Sequence, residues 1–402
     1  YGEHDAENPT PDGEIQRWNY RPDAFSNFRA GFEVRTQRLC QRVLVFHRFD
    51  ESGEIETSRK DWYLVRSTDL AYDLDPVVTY LTSVTQTGYS KELATESCRK
   101  RSYPPLELHY DRPKIHDKIE LVDAKSLENL PIGLDGSQYQ WIDLDSEGIS
   151  GILTEQAQGW LYKRNLGQAR FAESELVATK PSIANLRSTR QRMMDLAGDG
   201  TQDLVSFGTL SGYYQREKVG EWGQFIPFVS SPTVNWNDPN LRFVDLNGDG
   251  HADILISEDE VFVWYPSQAR EGFGSAKRVP QFQDEEKGPK LVFAEVVQSI
   301  YLADMTGDGL IDIVRLRNGE VCYWPNLGYG RFGAKINMDG APQFDHPEMF
   351  DSKRIRLADI DGSGTTDIIY LGREGISLWF NQAGNGWSER QRLSSLAVDN
   401  LS

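Results

Sequence analysis

Five short acidic segments recur along the chain and share one template. They are Trp141-Ile-Asp-Leu-Asp145, Met194-Asp-Leu-Ala-Gly-Asp-Gly200, Val244-Asp-Leu-Asn-Gly-Asp-Gly250, Ala303-Asp-Met-Thr-Gly-Asp-Gly309 and Ala358-Asp-Ile-Asp-Gly-Ser-Gly364. Their leading aspartates, Asp143, Asp195, Asp245, Asp304 and Asp359, are 52, 50, 59 and 55 residues apart. An aromatic pair or near-pair follows each by 17 to 20 positions: Trp160/Tyr162, Tyr213/Tyr214, Trp264/Tyr265, Tyr323/Trp324 and Trp379/Phe380. A second aromatic follows at 28 to 30: Phe171, Phe225, Phe273, Phe332 and Trp387. Agreement at three separate offsets restricts the chain to a repeat architecture.

Between the acidic turns the runs are short and β-branched or aromatic, as in Ile311-Asp-Ile-Val-Arg-Leu316 and Val321-Cys-Tyr-Trp324. Gly-Asp-Gly and Asn-Gly turn signals punctuate them. Helical periodicity is weak throughout. Three or four short strands per unit fit a propeller blade better than a solenoid rung. The expected fold is all-β: a β-propeller with five visible blades over 140–402 and repeats near 143, 195, 245, 304 and 359. The recurrent aromatics are expected to pack between blades. If one blade opens, the first two are the least regular candidates.

The turns themselves have the chemistry of a hard-cation site. The pattern is most complete at Asp245, Asn247, Asp249, Gly250 and Asp253, where alternate oxygens can converge on one centre. Gly250 permits the sharp turn, and the His251 carbonyl offers a further oxygen. An EF-hand needs Glu at position twelve and flanking helices; Ile256, Arg315 or Tyr370 stands there, on strand-forming runs. The shorter loop, closed by Asp at position nine, resembles the FG-GAP or VCBS repeat. Asp359, Asp361, Ser363 and Asp367 are nearly complete. Asp195, Asp199 and Asp203 have Ala197 at the third position, and Asp304, Asp308 and Asp312 have only the Thr306 hydroxyl there. The first loop runs Asp143, Asp145, Glu147 and then Gly151, and is expected to be metal-free. The competing reading is that these aspartates cap turns by accepting backbone N–H groups. Calcium, where bound, is expected to be structural, because no open position lies beside a base or nucleophile.

Residues 1–125 lack the template. Alternating runs at 31–36, 42–47, 62–66, 78–85 and 106–110 read as an antiparallel meander, and 126–139 as the connection into the repeats. Particular stretches here resemble the B component of the insecticidal toxin complexes (TcB-type, with an SpvB-like N-terminal region). They are Arg21-Pro-Asp-Ala-Phe-Ser26, Ala30-Gly-Phe-Glu-Val-Arg-Thr36, Leu39-Cys-Gln-Arg-Val43 and Leu81-Thr-Ser-Val-Thr-Gln-Thr-Gly-Tyr89. Trp324-Pro-Asn-Leu-Gly-Tyr-Gly-Arg-Phe-Gly333 and Leu357-Ala-Asp-Ile-Asp-Gly-Ser-Gly-Thr-Thr-Asp-Ile368 carry the likeness through the repeats.

That resemblance implies an Rhs-type shell, formed with a shell-completing C component, around a toxic domain. It also implies a six-bladed propeller that closes the shell, docks on a pore-forming A component and gates cargo. Residues 1–125 would be shell strands, and the protein would be secreted. The alternative is a calcium-stabilised adhesion or glycan-binding propeller.

Composition agrees with a folded, non-basic protein. Apolar residues are 39% and aromatics 11% of the chain, which argues against disorder. A formal charge of −18 opposes a nucleic-acid or anionic-membrane partner. No run of about 18 apolar residues predicts a membrane span. The three cysteines fit neither a zinc site nor a disulfide framework. The chain opens at Tyr1 and is expected to be part of a longer protein. No nucleophile elbow, P-loop, dinucleotide fingerprint or His-Glu-x-x-His occurs, and the expectation is a non-enzyme. His109, Asp111, His116 and Asp117 lie near one another in sequence but read as linker.

Overall fold

The computed structural model describes residues 9–11, 19–48, 62–91, 98–116, 118, 121–130, 139–156, 159–177, 180–181, 184–186, 188–217, 221–294, 299–373 and 375–393. Each repeat forms one four-stranded antiparallel sheet whose strands follow in chain order. The first sheet holds Tyr139–Ile142, Gly151–Gln156, Gly159–Asn165 and Phe171–Leu176. The second holds Gln191–Met194, Asp203–Ser206, Gly212–Arg216 and Trp222–Pro227. The third holds Leu241–Val244, Asp253–Ser257, Val261–Tyr265 and Lys277–Pro280. The fourth holds Ile300–Ala303, Asp312–Arg317, Glu320–Trp324 and Ile336–Asn337. The fifth holds Ile355–Ala358, Asp367–Gly372, Gly375–Trp379 and Gln391–Leu393. The acidic turn always joins the first strand to the second.

The second strands read as continuous apolar runs because both of their faces are covered. Successive side chains point to opposite faces. Leu204 thus joins the core shared with the first sheet, and Val205 the core shared with the third. Ile254 and Leu255 divide the same way, as do Ile313 and Val314. Four clusters therefore stitch consecutive sheets together. The aromatics carry them: Trp160 and Trp222, then Tyr213 and Phe273, then Trp264, Trp324 and Phe332, then Tyr323, Trp379 and Trp387. Burying each such side chain contributes about 1.5–3 kcal/mol. No cluster of described residues joins the fifth sheet to the first.

Close approach explains two glycines. Gly330 has φ +74°, and a Cβ there would lie 2.8 Å from the Trp264 ring of the preceding sheet. Gly384 has φ +78°, and a Cβ there would lie 2.9 Å from the Tyr323 hydroxyl. One expected core aromatic is displaced. A register shift between Tyr214 and Arg216 puts Trp222 into the core, while Phe225 packs on half-buried Tyr214 at 5.2 Å. Phe171 likewise stays half-buried, against Trp141.

The segment before the repeats is built differently. Arg42–Arg48, Trp62–Asp73, Tyr80–Lys91 and Cys98–Ser102 form an antiparallel sheet, with Leu106–Glu107 also pairing to the third strand. Trp62–Asp73 and Tyr80–Lys91 run longer than the sequence pattern suggests, Cys98–Ser102 is not announced by it, and the run at 106–110 shortens to Leu106–Glu107. Among its described residues only Ser67 and Thr87 are buried, and Val43, Trp62 and Leu106 are exposed. The sheet is a single layer. Ala124–Leu127 forms one helical turn, and 131–138 of the expected connection lie outside the described residues, as does Asp117.

A small hairpin, Phe25–Asn27 with Val34–Thr36, lies between the two parts. On one side buried Asp23 accepts from Arg21 and from the Thr79 amide and hydroxyl, tying the hairpin to the single-layer sheet. On the other, Arg35 donates to the Asn385 side chain, whose Nδ2 donates to the Ala24 carbonyl. Cys40 is exposed, and Cys322 is buried between the third and fourth sheets. No helix among the described residues is long and apolar enough to cross a membrane.

Candidate functional site

The leading aspartate of every loop is spent on backbone amides. Asp195 accepts from the N–H groups of Ala197, Gly198, Asp199 and Gly200. Asp245 accepts from Asn247, Gly248 and Gly250, and Asp304 from Thr306, Gly307 and Gly309. Asp359 accepts from Gly362, Ser363 and Gly364, and Asp143 from Glu147 and Gly148. A carboxylate takes up to about four such bonds, so each loop is wound around its own first residue. This is the turn-capping arrangement.

The ninth position ties a second knot. Asp253, Asp312 and Asp367 open the second strand, and each is 0–1% exposed. One oxygen accepts from the loop's second residue: Leu246 for Asp253, Met305 for Asp312, Ile360 for Asp367. The other accepts from a residue just past the third strand: Ser267, Asn326 and Asn381 respectively. The knot is incomplete in the second repeat, where Asp203 accepts only from Arg216 N–H and its Oδ2 has no hydrogen-bond donor. Burial raises these carboxyls: Asp203 and Asp253 to about 6, Asp367 to about 7, and Asp312 well above the ordinary range.

In the first repeat Gly151 stands at the ninth position, and a phenol takes over the work. Leu144 N–H donates to the Tyr162 hydroxyl, which donates in turn to the Ile142 carbonyl, both at 3.2 Å. A Cβ on Gly151 would lie 2.6 Å from that hydroxyl, so the substitution of Gly for Asp and the presence of Tyr162 belong together.

Neutralising charge also differs from loop to loop. Asp145 pairs with Arg164 and Arg216, and Glu147 with Arg164. Arg270 lies 3.5 Å from Asp199 and 3.7 Å from Asp203. In the fourth loop Phe28 N–H donates to Asp308 at 2.6 Å, and the Arg29 Nε donates to the Asp308 carbonyl. In the third loop Asp249 accepts from the Asn247 amide and the His251 N–H. The fifth loop is the exception. Asp359, Asp361 and Asp367 bring carboxylate oxygens within 4.8 Å of one another, the one such acidic group among the described residues. Ser363 Oγ lies 3.0 Å from Thr365 Oγ1, beside that cluster in sequence.

Of the sequence-predicted residues, the structure gathers the fifth-loop carboxylates most closely. The second loop, with Asp195, Asp199 and Asp203, already holds an arginine, and the fourth loop's Asp308 already holds a peptide amide. The arginines were the missed part. Arg164, Arg216 and Arg270 lie far from the loops in sequence, and no local spacing announces them.

Four-stranded sheets wound on Asp-capped turns define a repeat class, and residues 195–256 match the family described as FG-GAP-like repeat. Residues 1–49 match a second family, Salmonella virulence plasmid 65kDa B protein. Mono(ADP-ribosyl)transferase SpvB of Salmonella typhimurium is 38% identical over 92 residues, 22% of this chain and 15% of that protein. Among solved structures, the Photorhabdus luminescens Tc holotoxin pore superposes with a TM-score of 0.74 and 26% identity. That match covers 97% of this chain and 18% of the other. TcdB2-TccC3 without its hypervariable C-terminal region gives a TM-score of 0.59 at 26% identity, over 98% of this chain and 18% of that one. In sequence and fold the chain is thus TcB-like and SpvB-like, and it spans under a fifth of these relatives. One expectation is corrected. The curated relatives are enzymes by name, so the non-enzyme reading does not stand, although the 92 matched residues are a small share of them.

Proposed function

We propose that the five sheets are blades of a propeller that closes a toxin-enclosing shell, docks on a pore-forming component and gates the passage of cargo. The carrying observation is the superposition on the holotoxin pore along 97% of the chain, so that both the single-layer sheet and the repeats find counterparts. The single-layer sheet supports the shell role. Its exposed Val43, Trp62 and Leu106 need cover, and further strands of a shell, completed by a C component, would provide it. In this reading a sixth blade would stand between the fifth and first sheets.

Calcium, in this reading, is a structural pin. Asp359, Asp361, Asp367 and the Ser363 hydroxyl would hold it in the fifth loop, and Asp245, Asn247, Asp249 and Asp253 more weakly in the third. These are oxygen donors on a tight turn, as a hard cation requires. The protein would act outside the producing cell, as part of a larger assembly. The test is to mix the full protein carrying this region with the pore-forming component of a toxin complex. Co-elution followed by cryo-electron microscopy is expected to place the five sheets around one axis at the pore entrance. Sheets stacked in a line, or no complex at micromolar concentration, would reject the reading.

A further inference from the structure

The first strands of the sheets carry a repeated residue that the acidic turns do not explain. Three positions before the leading aspartate stand Gln140, Arg192, Arg242, Tyr301 and Arg356, at the same point of each strand. Three of five are arginine in a chain of net charge −18. Two of them are seated alike. Arg192 lies 4.8 Å over the Phe243 ring, and Arg242 5.1 Å over the Phe293 ring, each aromatic belonging to the next unit or its approach. A guanidinium held over a ring can still donate from its remaining N–H groups.

None of the three has a carboxylate partner among the described residues. Arg242 and Arg356 donate only to carbonyls of their own strand entries. Burial and the neighbouring charge of Arg192 lower the proton affinity of Arg242, while Asp238 acts in the opposite direction. Asp238 offsets part of this repulsion, and a further anion shared by the two guanidiniums would relieve the rest.

Space for a ligand adjoins the row. Arg192 lines a cavity of about 830 Å³ across the first strands of the first three sheets, with Trp141, Met194 and Phe243. Asp143 and Asp195 also line it, but their oxygens are engaged by backbone amides. Arg356 lines a second cavity of about 290 Å³ with Lys353 and Tyr301.

We propose that this arginine row binds an extended, carboxylate-rich polypeptide segment running along the inner strands. The guanidiniums sit on three sheets and do not converge as a single phosphate would require. Aromatic and methionine side chains between them suit peptide side chains. Each first strand also has one edge unpaired within its sheet, which offers backbone groups to an extended chain. The inference rests on the inner strands sharing one axis, as the propeller reading holds.

The test is fluorescence anisotropy with labelled poly-glutamate, poly-lysine and a Gly-Ser peptide at low salt, on the full protein. Poly-glutamate alone is expected to bind, and Arg192→Gln with Arg242→Gln and Arg356→Gln to weaken it by about tenfold or more. The outer-strand control Arg278→Gln is expected to change nothing. If the triple variant misfolds, Arg192→Gln and Arg356→Gln, both at exposed side chains, are read singly, each expected to weaken binding severalfold. Unchanged binding in these variants, equal binding of the Gly-Ser peptide, or tighter binding of a single-stranded oligonucleotide than of poly-glutamate would overturn the proposal. Binding that depends on the arginines in a protein that fails to dock on a pore would leave this inference standing and reject the docking reading. Docking without arginine-dependent binding would do the reverse.

Discussion

The first and fifth loops solve the same structural problem with different chemistry. Both must satisfy the amide of the loop's second residue where the chain turns back into a sheet. The fifth does so with buried Asp367, whose second oxygen reaches across to the amide of Asn381. The first does so with a neutral phenol, Tyr162, over the space that Gly151 leaves. Its remaining acids are held by Arg164 and Arg216. The difference teaches that the hydrogen-bond knot, complete in four of the five repeats, is a task separable from carboxylate clustering. Arginines neutralise the acids of the first loop, whereas Asp359, Asp361 and Asp367 gather in the fifth without an ion-paired arginine among the described residues.

The largest effect should come from Asp367→Ala. Two amides lose their acceptor, at about 1–3 kcal/mol each when buried, so a loss of roughly 2–6 kcal/mol is expected in urea unfolding. A smaller value than for Tyr162→Phe would invert the comparison. Gly151→Ala should cost about 1–3 kcal/mol, because its methyl would press on the Tyr162 hydroxyl and the Lys163 carbonyl. Tyr162→Phe should cost about 1–2 kcal/mol by orphaning Leu144 N–H, read as faster hydrogen exchange confined to the first sheet.

The pH dependence has a defined sign. Folding raises Asp367 to about 7 and Asp253 to about 6, above the ordinary carboxyl value, because burial disfavours the anion. The folded state thus favours the protonated form. That contribution is full below the unfolded value near 4 and lost as pH rises through about 6–7. With chelator present, Tm should therefore climb as pH falls from about 8 to about 5.5, and Asp367→Asn should flatten the slope. A Tm that drops steadily over this window would sink the assignment. The smallest effect belongs to Asp361→Asn. It should leave the melting curve in chelator unchanged, yet remove any rise in Tm that calcium gives the parent protein. A calcium response retained in that variant would remove the fifth loop from consideration.

Much of this was readable in the chain. The repeat, its turn positions and the aromatic core followed from spacing, because leading aspartates and glycines act on residues within one turn of themselves. The ninth aspartate was read as a ligand, and its bond across to Asn326 or Asn381 was not visible, since that contact spans 14 residues and depends on sheet register. Trp222 replaced Phe225 in the core because a bulge shifted the strand, and bulges leave little trace in composition. Tyr162 was seen as an aromatic and not as a hydroxyl. The arginine partners were hidden because charge pairing between sheets is a property of the assembled fold.

The bond from Phe28 to Asp308 joins residues 280 positions apart, and it makes the entrance of the chain a tenant of the fourth turn. Any rearrangement that pulls this hairpin away strips a donor from a carboxylate only 9% exposed, and motion of that turn drags the hairpin with it. Mechanical load applied to the early strands is thereby shared between this turn and the Asn385 loop of the fifth repeat.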